Sequence, residues 1–268
     1  MTDSTSEHLS GKVAVVTGGG RGLGRAMALA LAAAGASVLI MAAREITELE
    51  RVATEGPEGR ILPFRGDVTD PKGCVRAVQA AVDAFGSLDI LVNNAGRGMK
   101  YVSEDFLTAP TRFWETDPEV WRLIIDTNVN GPFLMARAAV PVMLKGGWGR
   151  IINVSMNRAT MRRAGFSPYG PSKAALESET VIWAQELKGT GITVNAILPG
   201  GATLTGMIPD NVDYAQRAKL LAPEVIVPPL MWLASDAADG VTGMRFDAAR
   251  WRTGLNGEQP TSLSGEIL

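Results

Sequence analysis

Short runs that are apolar almost throughout recur along the chain, at residues 13–17, 38–41, 61–64, 88–92, 150–154 and 193–197. Between them lie longer stretches of helical character, among them 22–34, 72–84, 121–144 and 172–187. A strand with one wet face alternates apolar and polar residues, whereas a continuously apolar strand is covered on both faces. Helices connecting such strands make them parallel, and right-handed crossovers distribute those helices over both faces of the sheet. The pattern therefore predicts an α/β, Rossmann-type, doubly wound parallel sheet. A chain of 268 residues suffices for one such domain and its core. No linker or repeat divides it, so we expect an N-terminal extension over 1–10, one domain over 11–250 and a tail over 251–268.

Several classes of function are disfavoured at once. A formal net charge of −2 supplies no basic face for nucleic acid or anionic lipid. Cys74 is the single cysteine and His8 the single histidine, so no internal disulfide and no histidine-based metal centre is expected. The longest uncharged run, 26–43, approaches the length that spans a bilayer. Gly35 and Ser37 divide it into an Ala/Leu helix and the strand Val38-Leu39-Ile40. The opening MTDSTSEHLS has neither a cationic start nor an apolar core, which leads us to expect a cytoplasmic protein.

The stretch VAVVTGGGRGLGRAMALALAAAG puts Gly18, Gly22 and Gly24 between the first strand and first helix, with Gly20, Arg21 and Leu23 completing the turn. Glycines there let backbone amides approach a pyrophosphate at the helix N-terminus. About 20 residues on, where an acid grips the ribose 2′-OH of NAD, the chain reads LIMAARE. Ala42 and Ala43 precede Arg44, and a guanidinium there, with Arg21, suits a 2′-phosphate. NADP(H) is accordingly favoured over NAD(H). The competing assignment leaves Arg44 solvated and makes Glu45 the ribose acid.

LVNNAG at 91–96 and YGPSK at 169–173 complete a pattern that closely resembles the classical short-chain dehydrogenases/reductases. The resemblance runs from about Gly11 to Phe246 and includes GDVTD at 66–70, TNVNG at 127–131, GRIINVS at 149–155 and LPGGAT at 198–203. It implies that Asp67 and Val68 border adenine, that Asn94, Ala95 and Gly96 follow the ribose, and that Pro199, Gly200, Ala202 and Thr203 flank the nicotinamide. It further implies a catalytic set of Asn128, a serine, Tyr169 and Lys173, the last two also touching cofactor. Tyr169 and Lys173, at i and i+4, share a helix face. A neighbouring ammonium is expected to lower the phenol's pKa and ready it for proton exchange with a carbonyl or alcohol.

The serine is where the pattern breaks. The family's catalytic serine precedes the tyrosine by about 13 positions, and that count lands on Met156. Ser155 is one residue early, and successive strand residues face opposite ways, so only a local bulge would aim it at substrate. A missing donor of this kind costs roughly 2.7–4 kcal/mol of transition-state stabilisation. Asn157, Thr160 or a water are candidate replacements.

Two irregular stretches, 97–117 and 200–221, are read as substrate loops. Tyr101, Phe106, Phe113 and Trp114 in the first, with Phe166, Met207 and Ile208, suggest an apolar or bulky small-molecule substrate. The family's usual Asp-Gly-Gly after the last strand is replaced by Asp247-Ala248-Ala249-Arg250-Trp251. By resemblance a homo-oligomer, tetramer or dimer, is expected. The leading functional reading is an NADP(H)-preferring carbonyl reductase or alcohol dehydrogenase. The alternatives are an impaired nucleotide-binding regulator, or altered chemistry such as C=C reduction or elimination.

Overall fold

The computed structural model describes residues 8–251 and 265–267. Parallel strands β1 (Val13–Thr17), β2 (Ser37–Ala42), β3 (Ile61–Arg65), β4 (Ile90–Asn93), β5 (Gly149–Val154), β6 (Ile192–Leu198) and β7 (Met244–Asp247) form one sheet, edged by antiparallel β8 (Gly265–Ile267). The order is β3-β2-β1-β4-β5-β6-β7-β8. β1 pairs with both β2 and β4, so the chain reverses direction across the sheet beside it. The carboxyl ends of strands at such a switch point open a crevice.

The strands are buried on both faces, as their continuous apolar runs require. Ala14 and Val16 of β1 point into one core layer, where α1 (Gly22–Ala33), α2 (Ile46–Glu55) and the later helix Val227–Ala234 contribute Met27, Leu49 and Leu230. Val13 and Val15 point into the other, against α3 (Pro71–Phe85) and the helices that follow it. Asp70 caps α3 by accepting from the Lys72 amide at 3.0 Å, and Gly86, at φ +90°, ends it.

Three expectations change in detail. The single helix expected over 121–144 is two, α4 (Pro118–Ile125) and α5 (Gly131–Gly146), joined by a π turn over Asp126–Asn130. Apolar periodicity runs through the join, and Gly131 leaves no room for a side chain: a Cβ there would lie 2.7 Å from Val68 Cγ2. Secondly, the packed chain begins before residue 11, because Leu9 is buried and its amide donates to the Ala34 carbonyl at 3.0 Å. Finally, the altered ending after β7 is a short turn in which Asp247 Oδ1 accepts from the Ala249 amide at 3.1 Å. It places Trp251 against Trp232 at 5.7 Å and Phe246 at 6.1 Å, extending the core. Of the expected tail over 251–268, residues 252–264 and 268 lie outside the described residues.

Candidate active site

The crevice is a cleft of about 310 Å³ along the carboxyl ends of β1, β2 and β4. The glycine turn forms one wall. Gly18 and Gly22 have φ of +66° and +53°, which favour glycine. A Cβ at Gly24 would land on the Gly18 carbonyl oxygen and lie 2.6 Å from Asn94 Nδ2. Gly20, Arg21 and Leu23 line the same wall. The turn is tied to the end of β4, because Asn94 Nδ2 donates to the carbonyls of Thr17 (2.8 Å) and Gly18 (3.1 Å). The Asn94 and Ala95 amides both donate to Thr17 Oγ1 at 3.0 Å. This cradle, open only because side chains are missing, fits the pyrophosphate of a dinucleotide on the α1 N-terminus.

Asp67, Val68, Ala95 and Gly96 also line the cleft. Asp67 Oδ1 is engaged locally, accepting from the Thr69 amide and hydroxyl at 2.9 Å each. At the end of β2 the wall is Ala42, Ala43, Arg44 and Glu45, with Arg44 exposed. Arg21 meets Glu48 at 3.5 Å in an exposed pair, a weak tether that leaves the guanidinium facing solvent.

Beyond the short helix α6 (Arg158–Met161), the expected catalytic residues gather at the start of α7 (Tyr169–Glu186). Asn128 sits in the π turn, fully buried, and its side chain is committed to structure. Its Oδ1 accepts from the Arg97 amide at 2.8 Å, while its Nδ2 donates to the Arg97 carbonyl and to Ser172 Oγ, each at 2.9 Å. Ser172 donates in turn to the Tyr169 carbonyl at 2.7 Å. Asn128 thus joins the loop after β4 to the first turn of α7, and π turns recur at such places.

Lys173 is buried and Tyr169 half-buried, with a consequence opposite to the one expected. Burial pushes the Tyr169 phenol up to about 12 rather than down. Burial also pulls the Lys173 amine down to about 8, against the opposing pull of Glu177. The ammonium donates to the Val154 carbonyl at 2.8 Å, so desolvation outweighs its attraction for phenolate.

Ser155 does not face the cleft. Asn153 and Ser155, two apart, both point at α7: Asn153 Nδ2 donates to Thr180 Oγ1 at 2.8 Å and Ser155 Oγ to Glu177 Oε1 at 2.6 Å. No bulge intervenes, because the Ser155 amide continues the strand pattern to the Ile197 carbonyl at 2.7 Å. Glu177 lies two helical turns beyond Tyr169, about 12 Å along the axis. Met156 is buried at 8% exposure, and its carbonyl accepts from Arg245 at 2.7 Å. Asn157 Nδ2 is likewise occupied, donating to the Gly200 carbonyl at 2.9 Å.

The loop over 200–221 covers the cleft differently from expectation. Pro199, Gly200, Ala202 and Thr203 are not among the cleft-lining residues, and Thr203 Oγ1 turns back to the Gly201 carbonyl at 3.1 Å. Thr205, Gly206 and Met207 line it instead. A Cβ at Gly22 would meet Thr205 at 3.1 Å, and one at Gly98 would meet Met207 Sδ at 3.3 Å. Met207 Sδ also lies 4.0 Å from the Tyr169 hydroxyl, so the thioether stands between the cofactor wall and the phenol. Lys100 and Asp210, 3.0 Å apart, link this loop to the one over 97–117. Phe106 packs edge-on against Phe166 at 6.0 Å, whereas Phe113 and Trp114 pack on each other and are exposed. Arg97, Thr127, Thr205 and Gly206 line the cleft without having been singled out in the sequence. The one sequence signal for Arg97 is that it directly follows the Asn-Ala-Gly run.

Residues 12–214 match the short chain dehydrogenase family. The chain belongs to that family. A short-chain type dehydrogenase/reductase of Picea abies is 36% identical over 250 residues, covering 87% of this chain and 89% of that one. A 3-oxoacyl-[acyl-carrier-protein] reductase of Thermotoga maritima is 33% identical, covering 88% and 95%. Among solved structures, a 3-ketoacyl-(acyl-carrier-protein) reductase of Brucella melitensis complexed with NADH superimposes with a TM-score of 0.78 at 32% identity, covering 89% and 97%. This short-chain dehydrogenase is therefore an oxidoreductase of the dinucleotide-dependent type. Among the described residues no helix is long and apolar enough to cross a membrane, and no group of acidic, cysteine and histidine side chains could hold a metal.

Proposed function

We propose that this short-chain dehydrogenase is an NADP(H)-preferring reductase of the carbonyl group of an apolar or bulky small molecule, or a dehydrogenase of the matching alcohol. The observation that carries the reading is the cleft itself. One end is a glycine cradle with Arg21 and Arg44, where Ala42 and Ala43 stand at the end of β2 ahead of Glu45, and the other reaches Met207 against the Tyr169 phenol. When bound, the nicotinamide would supply the hydride. The rest falls to this chain. Tyr169, held protonated by burial, keeps a proton at its phenol oxygen for a carbonyl oxygen at neutral pH. Lys173 holds a cation behind it, and Met207 with the loop over 200–221 excludes water. Pro199, Gly200, Ala202 and Thr203 keep a supporting place in this reading, shaping the loop that carries Met207.

A bidentate guanidinium–phosphate contact is worth far more to NADPH than to NADH. Fluorescence titration of Arg44→Ala should show NADPH affinity falling by about tenfold or more, with NADH affinity nearly unchanged. Equal losses for both dinucleotides refute the 2′-phosphate contact and restore Glu45 as the ribose acid.

One observation favours a second reading. No serine hydroxyl stands where Met156 is, and Ser155 is turned toward Glu177. That is the state expected of a dinucleotide-binding regulator with impaired chemistry. Tight NADPH binding with no turnover across a broad ketone and alcohol panel supports it. We further propose a homo-oligomer, with exposed Ile182 of α7 and Phe133 of α5 as its apolar contacts; sedimentation velocity tests this.

A further inference from the structure

The end of β5 is held by an ionic cluster that the proposed chemistry does not otherwise use. Glu177 is buried on α7, one turn beyond Lys173 on the same face. Its Oε1 accepts from Ser155 Oγ at 2.6 Å and from Arg245 Nε of β7 at 2.8 Å. Arg158 approaches its Oε2 at 4.0 Å. Arg245 Nη2 donates to the Met156 carbonyl at 2.7 Å, and Lys173 Nζ to the Val154 carbonyl at 2.8 Å. Three successive residues, Val154, Ser155 and Met156, are thus each gripped by a member of one cluster.

We propose that Glu177 is a positioning residue for Lys173: it supplies the carboxylate that keeps the Lys173 ammonium buried and charged, and through Ser155 and Arg245 it fixes the strand end that receives that ammonium. The inference rests on the assignment of Lys173 made above. Its physical basis is that a carboxylate one helical turn away favours the charged form of a buried amine without touching it, while the ammonium itself is bonded to the Val154 carbonyl. The charged groups around the carboxylate are Lys173 on its own helix, Arg245 from β7 and Arg158 from the segment after β5. Tyr169, the other titratable group on this face, is neutral until far into the alkaline range. Glu177 acts on each of these cations, and burial pulls Lys173 down against its pull. Ser155 takes its place here as well: its hydroxyl serves the carboxylate rather than substrate.

The test is a pH titration by NMR of full-length protein carrying 13C at lysine Cε and glutamate Cδ. The Lys173 signal is the one lost in Lys173→Arg, and the Glu177 signal the one lost in Glu177→Asp. In the wild-type chain the Glu177 carboxylate signal should move as Lys173 loses its proton, because the neighbouring charge that it senses disappears. In Glu177→Gln the Lys173 midpoint should fall by about one pH unit or more, and in Glu177→Asp it should return to within about half a unit of wild type. A merely structural role would lower the melting temperature and leave the midpoint in place, which overturns the proposal. So does a wild-type Glu177 signal that stays in place while Lys173 loses its proton, a result that decides the matter even if Glu177→Gln fails to fold. Failure of the catalytic assignment reads out elsewhere, as undiminished NADPH consumption by Tyr169→Phe with the titration unaffected.

Discussion

Replacing Lys173 by methionine should make the protein more stable at neutral pH while removing its activity. Burial pulls the amine down to about 8 in the folded chain, from an ordinary value of 10.5. Between those values the unfolded chain binds more protons, so unfolding free energy rises with pH across that window. Below about pH 8 both states are protonated and the whole penalty is present. A difference of about 2.5 pH units at about 1.4 kcal/mol each is about 3 kcal/mol. Methionine keeps most of the apolar stem and removes the charge. Against this stands the lost bond to the Val154 carbonyl, worth about 1.5–3 kcal/mol as a bond from a charged donor. The net gain expected at pH 7 is about 1 kcal/mol, shrinking and then reversing as pH approaches 10. Urea unfolding of both proteins at pH 7, 8, 9 and 10, at matched m-values, measures it. A difference that does not change with pH over that window would refute the reasoning, since no buried titration would then separate the two proteins.

Met156→Ser should raise turnover on any active carbonyl substrate, by up to about 10²-fold if the new hydroxyl reaches substrate oxygen. The same change should lower the melting temperature, because truncating a buried methionine costs about 2–5 kcal/mol; steady-state rates and a thermal melt check the two halves. Gly24→Ala should abolish measurable NADPH binding, because its Cβ meets the Gly18 backbone rather than a movable side chain. Retained affinity in a fluorescence titration would show that the turn is looser than this geometry.

The first strands were legible because they are apolar almost throughout, so burial on both faces is written into residues such as Val13 to Val16 and Val38 to Met41. The break between α4 and α5 was not, because the apolar period of Leu123, Ile124 and Met135 continues across it; the decisive contact is Gly131 against Val68, from a distant loop. The orientation of Ser155 followed from strand alternation alone, and Glu177, its partner, could not be named without the packing of α7 on β5. The direction of the Tyr169 shift was misjudged for a similar reason. Sequence spacing shows the ammonium four residues away, but neither the depth of burial nor the Val154 carbonyl that holds that ammonium. Of the loop over 200–221, Thr205, Gly206 and Met207 line the cleft and Gly200 to Thr203 do not, a distinction that the glycines, proline and mixed charge of the segment do not carry.

The most direct test of the account is NADPH consumption by Tyr169→Phe over a carbonyl panel that the wild-type protein reduces, with NADPH affinity measured alongside. The phenol is assigned the proton that the carbonyl oxygen receives, so turnover should fall by about 10²-fold or more while affinity changes little. Turnover equal to wild type, at equal affinity, would contradict it.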